Sequence, residues 1–403
     1  MNESQKKLIL ATVPVLKAQG LALTKYFYER MFRHNPEMKN IFNMGNQQSG
    51  KQQTALAMAV LAYAENIANP GVLMPVIDRI GHKHVSINIR PEQYQIVGTH
   101  LLASILEVLG EIATAEITEA WAVAYAQLAA IMSGHEANLY QQQISIEGSW
   151  TGWRPFRLEK KEAESKEVSS FYLYPIDGGK TPIFQSGQFV SIKLYFPELK
   201  LNQIRQYSLS DAPGKDYLRI SVKREFNAPN SVKGMISNYL HDHLHAGSIV
   251  ELSAPSGNFI LPQRVDAPIT FISGGVGITP LMSMMEHLAK SGHDHKINWI
   301  HACRNREVHA FADRKAILER SGLNITEHIF YDHCSQEDKN AGVNEGYLNL
   351  FKIKDFEVDP NGLYYLCGPS AFIRKQFEDL RSLGIKANQI YFEEFGPQLL
   401  NIE

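Results

Sequence analysis

At Trp153 the spacing of apolar residues changes, and that change constrains the fold more than any single motif. Before it, apolar positions keep helical spacing, as in Tyr94, Val97, Leu101, Ile105 and Leu109. After it they alternate: Val190, Ile192 and Leu194 with Ser191, Lys193 and Tyr195, then Leu218, Ile220 and Val222 with Arg219, Ser221 and Lys223. From about residue 266 a third pattern begins. A buried strand Ile269 to Ser273 leads into a glycine-rich turn, and further strands follow at Ile297 to Ala302, Ile325 to Tyr331 and Leu363 to Leu366. A chain of 403 residues accommodates two or three domains. The expected architecture is multidomain: an all-α segment over 1–140, a polar linker over 141–150, an antiparallel β-barrel over 151–264 and an α/β domain over 265–403.

Charge and cysteine content remove several function classes. The formal net charge of −2 provides no basic field for nucleic acid. Cys303, Cys334 and Cys367 are too few and too far apart for a disulfide framework or a thiolate metal site, which fits a reducing compartment and a cytoplasmic protein. Lys6-Lys7 followed by Leu8 to Leu16 mimics a short signal peptide, but Pro14 interrupts the run and Lys17 closes it. It reads instead as the first amphipathic helix. No stretch of about 20 continuous apolar residues is expected to span a membrane.

In the helical segment glycine and proline fall at Gly20, Pro36, Pro70-Gly71, Pro91 and Gly110, each a plausible break. Pro91 suits a first-turn position, and Thr114 is an expected N-cap with Glu116 behind it. Leu73, Ile77, Ile80 and His84 share one helical stripe, whereas His82 lies about 200° away and is expected to point outward. A histidine on such a stripe is commonly a satisfied core residue, and it is also where a buried metal ligand would stand. Gln52 and Leu56, four apart, share a face of an earlier helix, and Tyr28 and Phe42 precede them.

Three stretches further on suggest a dinucleotide chemistry. Arg205-Gln206-Tyr207-Ser208 lies in a strand-like run in which Arg205 and Tyr207 share one face. An arginine fork holds a diphosphate, and a tyrosine offers a flat surface to a planar ring. An ordinary barrel strand with a surface arginine has the same four residues. Gly234-Met235-Ile236-Ser237 opens a probable helix, whose free N–H groups suit a diphosphate. Gly274-Gly275-Val276-Gly277-Ile278-Thr279-Pro280 follows a strand, with Pro280 in the place of the last glycine of G-x-G-x-x-G.

In this order the three stretches resemble the ferredoxin-reductase-like FAD/NAD(P) module. The strings Phe27-Tyr28-Glu29-Arg30-Met31-Phe32, Ile41-Phe42-Asn43-Met44, Lys83-His84 and Pro91-Glu92-Gln93-Tyr94 resemble the globin domain of the flavohemoglobins, and the resemblance continues to the C-terminus. It implies heme b, FAD and NADH as cofactors, with NADPH possible. It implies His84 as the iron ligand, Tyr28, Gln52 and Leu56 as the distal pocket, and Phe42 against the porphyrin. Lys83 is carried over as a heme-domain cofactor contact. Tyr94 and Glu136 match a pair behind the histidine; Glu136 taken alone also suits a solvated helix end.

For FAD the resemblance implies Gln188, Phe189, Arg205, Gln206, Tyr207, Ser208, Gly234 and Ser237, with Phe395 covering the ring. Phe189 stands where the family commonly has tyrosine. For NAD(P) it implies Gly274, Gly275, Gly277, Thr279 and Pro280, with Cys367-Gly368-Pro369 on the nicotinamide side. Cys367 equally suits a buried small side chain. Glu393 matches an acidic residue facing the heme, and Glu394 is an extra charge beside it.

The implied activity is nitric oxide dioxygenation: electrons pass from NAD(P)H through FAD to heme, and nitric oxide and oxygen give nitrate. A monomer acting on these small molecules is expected. Two other readings are a general reductase of ferric iron, quinones or hydroperoxides, and an oxygen or nitric oxide sensor. Arg304 and Arg306, after the second strand of the α/β domain, suggest a site for the 2′-phosphate of NADPH. The segment Glu225 to Lys233 is slightly longer than the family loop.

Overall fold

The structure, a computed structural model, describes residues 1–225, 234–314, 318, 320–354 and 356–396. Of the loop at 225–233 only Glu225 falls within the described residues. Two compact units divide the chain. One comprises Met1–Trp153, Ser191–Arg205 and Glu251–Ser256, and the other the remainder.

The first unit is built on six α-helices among the described residues: α1 (Glu3–His34), α2 (Met44–Gln48), α3 (Lys51–Glu65), α4 (Met74–Ser86), α5 (Pro91–Leu109) and α6 (Ala115–Ser145). Their ends follow local chemistry. The Asn2 side chain accepts from the Gln5 backbone N–H at 2.8 Å while the Gln5 side chain accepts from Asn2 N–H at 3.0 Å, closing a capping box on α1. Pro91 occupies the first turn of α5, and the Thr114 hydroxyl accepts from Ile117 N–H at the start of α6.

Gly20 does not break the chain. It lies inside α1 on the side facing α3, where a β-carbon would stand 3.6 Å from Cβ of Ala57, an ordinary contact. The last helix runs to Ser145, through Gln141-Gln142-Gln143, because glutamine is a good helix former and Gln143 is buried.

Measured by length and average hydropathy, α1 and the stretch Pro91–Ile112 are each long and apolar enough to cross a membrane, although neither contains an unbroken apolar run. In this unit they supply core instead: Ile9, Leu16, Leu23, Phe27 and Met31 from one, Leu101, Ile105 and Leu109 from the other.

Beyond the helices come β1 (Arg154–Ala163), β2 (Val168–Pro175), β3 (Phe189–Phe196), β4 (Leu201–Ser208), β5 (Leu218–Lys223) and β6 (Ile249–Leu252), ordered β4-β3-β6-β1-β2-β5. The registered pairs are antiparallel. Helix α7 (Met235–His243) lies between β5 and β6 in sequence.

The second sheet is parallel, ordered β10-β9-β8-β7-β11-β12. Its strands are β7 (Ile269–Gly274), β8 (Ile297–Cys303), β9 (Ile325–Tyr331), β10 (Asn344–Glu345), β11 (Leu363–Gly368) and β12 (Ile390–Glu394). Every residue of β7 is buried, as befits a strand covered on both faces. The α-helices after β7 are α8 (Ile278–Ser291), α9 (Gln336–Asn340) and α10 (Ser370–Ser382) among the described residues. Leu281, Met284 and Leu288 of α8 pack on Phe271 and Tyr365, whereas Phe377 and Leu380 of α10 join Ile272, Ile300 and Leu366 in a second core cluster.

Candidate functional site

Three helices bring one polar side chain each to a single cluster. His84 stands in the last turn of α4, Tyr94 in the first turns of α5 and Glu136 on α6. Helices α4 and α6 approach closely at Gly81, where a β-carbon would meet the His135 ring at 2.7 Å. That closeness brings Nδ1 of His84 to 2.7 Å from Oε1 of Glu136 and 3.0 Å from the Tyr94 hydroxyl, which itself donates to Glu136 at 2.5 Å.

Glu136 is 3% exposed, so its lone pairs depend on these two donors. A carboxylate only accepts, so Nδ1 carries the ring proton and Nε2 presents a lone pair. Nε2 makes no hydrogen bond among the described residues. Burial, reinforced by the Glu136 charge, pushes the Tyr94 phenol far above its ordinary pKa, so it keeps its proton and remains a donor.

His82 corrects the helical-wheel expectation. It does face away from the His84 side, yet its side chain is 17% exposed against 31% for His84. The outer side of α4 is itself covered within this unit: His82 Nδ1 lies 3.0 Å from the Ser256 hydroxyl, which also donates to the His82 backbone carbonyl. Asp78 lies 3.8 Å from His82 and 2.9 Å from His135.

Tyr28, near the end of α1, is 4% exposed. The rings of Phe27, Phe32 and Phe42 surround it at 4.9, 5.8 and 5.4 Å. Burial raises its pKa, opposed first by the Gln52 side chain and then by Gln47. Phe42 and Leu56 are partly buried against the same core, and Lys83 is half-buried beside His84 in sequence. A histidine with a directed Nε2 lone pair, a buried phenol and buried amides are the donors and acceptors that a heme with an iron-bound ligand uses, so the residues fit that group.

The stretch Arg205–Ser208 closes β4, with Arg205 and Tyr207 half-buried, Gln206 exposed and Ser208 buried. The guanidinium of Arg205 donates to the Ile204 carbonyl at 2.7 Å. Helix α7 starts after Gly234 with no side-chain cap among the described residues, which leaves its first N–H groups at the helix end. A β-carbon on Gly234 would stand 2.5 Å from the Ser237 hydroxyl. An arginine fork and an uncapped helix start suit the diphosphate of FAD. The Gln188 side chain accepts from Gln185 N–H at 2.9 Å and so holds its own turn. Phe189 is buried, and a β-carbon on Gly257 would lie 3.0 Å from its ring.

The glycine-rich turn runs from β7 into α8. Thr279 bonds back to the Val276 carbonyl at 3.1 Å, and Pro280 sits in the first turn of α8, where its missing N–H costs nothing. Gly274 meets Pro369 and Phe372 at 3.2 Å from an added β-carbon. Gly275 has φ +55° and open space around it. At Gly277 a β-carbon would stand 2.2 Å from the Cys367 carbonyl oxygen, so glycine lets this turn cross over Cys367-Gly368. Cys367 is wholly buried, and burial pushes its thiol well above the ordinary range, as expected of a packed side chain rather than a nucleophile.

Glu393 is half-buried, Phe395 is 44% exposed, and Pro397 lies outside the described residues. The extra charge Glu394 is buried and accepts from the Ser370 hydroxyl in the first turn of α10, a favourable end for a carboxylate. Arg304 pairs with Glu167, and Arg306 pairs with Glu337 at 2.8 Å and Asp338 at 3.9 Å. Each arginine already has a carboxylate partner, with which a 2′-phosphate would have to compete.

Fold and site together define a globin joined to a flavin- and pyridine-nucleotide-dependent reductase. Family models agree: globin matches residues 25–132, the oxidoreductase FAD-binding domain 155–260 and the oxidoreductase NAD-binding domain 271–377. The chain is 49% identical over 399 residues to a flavohemoprotein of Chromobacterium violaceum, covering 98% of both chains, and 44% identical over 401 residues to one of Rhizobium meliloti, covering 99% of both. It belongs to the flavohemoprotein family, an oxidoreductase family with heme, FAD and NAD as its cofactors.

Its fold is similar to that of a flavohemoglobin from Malassezia yamatoensis, with a TM-score of 0.85 at 24% identity over 98% of this chain and 99% of that one. It also resembles the FAD/NAD-binding domain of nitric oxide dioxygenase from Vibrio cholerae, with a TM-score of 0.55 at 34% identity over 60% of this chain and 99% of that one.

Proposed function

We propose that this chain is a nitric oxide dioxygenase that uses NAD(P)H to turn nitric oxide and oxygen into nitrate. The observation that carries this reading is the buried Glu136 carboxylate 2.7 Å from His84 Nδ1. A carboxylate behind a ligating imidazole makes it a stronger electron donor, which favours oxygen activation over storage. The heme supplies the iron at which oxygen is activated, and the flavin divides a two-electron hydride into single electrons.

The chain's own groups then have separate tasks. His84 would hold the iron through Nε2. Glu136 fixes the tautomer of that ring, and Tyr94 keeps Glu136 in place without losing its own proton. Tyr28 and Gln52 would donate hydrogen bonds to a ligand bound at the iron, while Leu56 and Phe42 would keep the pocket apolar. By the family resemblance Arg205, Gly234 and Ser237 would bind the FAD diphosphate. Tyr207, Phe189 and Phe395 flank its ring, with Gln188, Gln206 and Ser208 around it.

Gly274, Gly275, Gly277, Thr279 and Pro280 hold the nicotinamide nucleotide, with Cys367 and Gly368 at its reacting end. Lys83 and Glu393 complete the cofactor contacts. In this reading the heme domain is 1–140, the linker 141–150, the FAD domain 151–264 and the NAD(P)H domain 265–403, in a cytoplasmic monomer. The purified protein should oxidise NADH at a rate that rises with nitric oxide, requires oxygen and leaves nitrate. NADH turnover that leaves nitric oxide unconverted would sink the proposal.

A further inference from the structure

Beyond strand β4 the chain runs through Ser210, Asp211 and Ala212, all buried, before it reaches β5. Two side chains from different elements hold this segment. The first is Arg219 of β5, whose side chain is wholly buried. Its Nε donates to the Ser210 hydroxyl at 3.1 Å, and a terminal nitrogen donates to the Ser210 carbonyl. Nη1 lies 3.4 Å from the Asp211 carboxylate, which also accepts from Ala212 N–H at 2.8 Å and from the Tyr217 hydroxyl at 2.9 Å. A buried charge is costly unless it is paired and hydrogen-bonded, so moving this segment would strand both charges.

The second hold comes from the nucleotide side. Ser283 lies in α8, the helix that follows the glycine-rich turn. A serine inside a helix commonly returns its hydroxyl to a carbonyl one turn back. The buried Ser283 hydroxyl instead donates to the backbone carbonyl of Asp211 at 2.7 Å, 72 residues away in sequence. Further along α8, Lys290 Nζ donates to the Pro213 carbonyl at 3.2 Å. Phe311, beyond β8, has φ +61°, a backbone region that bulky residues rarely adopt, and its ring centre lies 5.5 Å from the same Arg219 guanidinium. The α/β domain is thus fastened to the residues that directly follow the flavin strand.

We propose that Ser283 and Arg219 are positioning residues for hydride transfer: between them they fix the Ser210–Asp211 segment and so hold the nucleotide helix α8 in register with the flavin strand β4. This rests on the flavin and nucleotide sites given above, and not on the nitric oxide chemistry. Hydride transfer requires donor and acceptor to be closely aligned, and a misplacement of about 1 Å caused far from the reacting atoms can slow a reaction on the order of 100-fold.

The test is anaerobic stopped flow of NADH against the full-length protein loaded with heme and FAD, with flavin reduction counted per bound FAD. Ser283→Ala removes one hydroxyl and leaves the helix intact. It should lower the limiting rate at saturating NADH about tenfold, while the half-saturating NADH concentration moves less than about twofold. Arg219→Lys keeps a charge beside Asp211 but loses the fork on Ser210, and should lower the limiting rate in the same way. Both act through one segment, so the double variant should fall short of the product of the two effects. Deuterium at the transferred position of NADH should slow the variants at least as much as it slows the wild type.

A merely structural role gives another pattern: less bound FAD or a lower melting temperature, with a wild-type limiting rate in the molecules that keep FAD. That pattern in Ser283→Ala overturns the inference, whether or not Arg219→Lys folds. So does a higher half-saturating NADH concentration at an unchanged limiting rate, and so does a smaller isotope effect, which would place the slow step elsewhere. Fully multiplicative effects would overturn the shared segment. If Gly277→Ala leaves flavin reduction unchanged, the nucleotide site itself fails and this inference with it. If Gly277→Ala slows reduction and Ser283→Ala does not, only this inference falls.

Discussion

The helical pocket and the nucleotide turns are built by opposite means. Around His84 the chain brings together polar atoms from three helices, and Glu136 at 3% exposure is hydrogen-bonded by His84 and Tyr94. Around Gly277 the chain brings backbone within 2.2 Å of where a β-carbon would stand. One region depends on single side-chain atoms being present and the other on a single carbon being absent. The first should fail when an atom is removed, and the second when one is added.

The largest effect is expected at His84. His84→Ala should abolish stable heme binding, seen as loss of the heme absorbance of the purified protein. His82→Ala should keep heme, because it removes a tie to Ser256 rather than a lone pair directed at the iron. Flavin reduction by NADH should survive both. Equal heme loss in the two variants would contradict the assignment.

The mirror-image change is Gly277→Ala. The added carbon meets the Cys367 carbonyl, so the turn or β11 must move. Overpacking of this kind costs roughly 1–3 kcal/mol, and a displacement near 1 Å at a binding turn can slow a reaction on the order of 100-fold. NADH-driven flavin reduction should fall by about that factor, while heme content and carbon monoxide binding stay as they were. Normal reduction kinetics would show that backbone closeness at this turn does not matter.

Tyr28→Phe removes one oxygen atom from the helical pocket without changing its packing among Phe27, Phe32 and Phe42. A hydrogen bond to a group carrying charge contributes roughly 1.5–3 kcal/mol, so oxygen release should accelerate about 10- to 100-fold. Carbon monoxide, which carries less charge, should bind nearly as before. Oxygen release at the wild-type rate would remove Tyr28 from the site.

What the chain reveals in advance follows the same division. Periodicity alone locates α4, the Thr114 cap and the limits of β9, because each depends on residues adjacent in sequence. It places His84 on the inner stripe of α4. It misjudges His82, since exposure on a helical wheel takes no account of Ser256, which is 174 residues away. Gln47 and Gln53 give no periodic signal at all. The hydrogen bonds between them depend on which end of an amide faces a carbonyl, and no spacing encodes that. The glycines were legible as a motif, but the reason for Gly277 required β11 beside it. The partners of Arg304 and Arg306 were not legible either, because Glu167 and Glu337 lie on other stretches of the chain.

The smallest effect concerns those two arginines. To take a 2′-phosphate, Arg304 must leave Glu167 and Arg306 must leave Glu337, so part of any gain is offset. Exposed pairs of this kind contribute only about 0.2–1 kcal/mol, so the competition is weak but present. Arg304→Ala and Arg306→Ala should therefore change the NADPH/NADH ratio of kcat/KM by less than about threefold. Glu337→Gln should raise it slightly by releasing Arg306, and Glu167→Gln should do the same for Arg304. A tenfold or larger fall in the ratio for either arginine variant would mean that the phosphate displaces the carboxylate after all. It would also mean that this turn, unlike Gly277, recognises its nucleotide through a side chain.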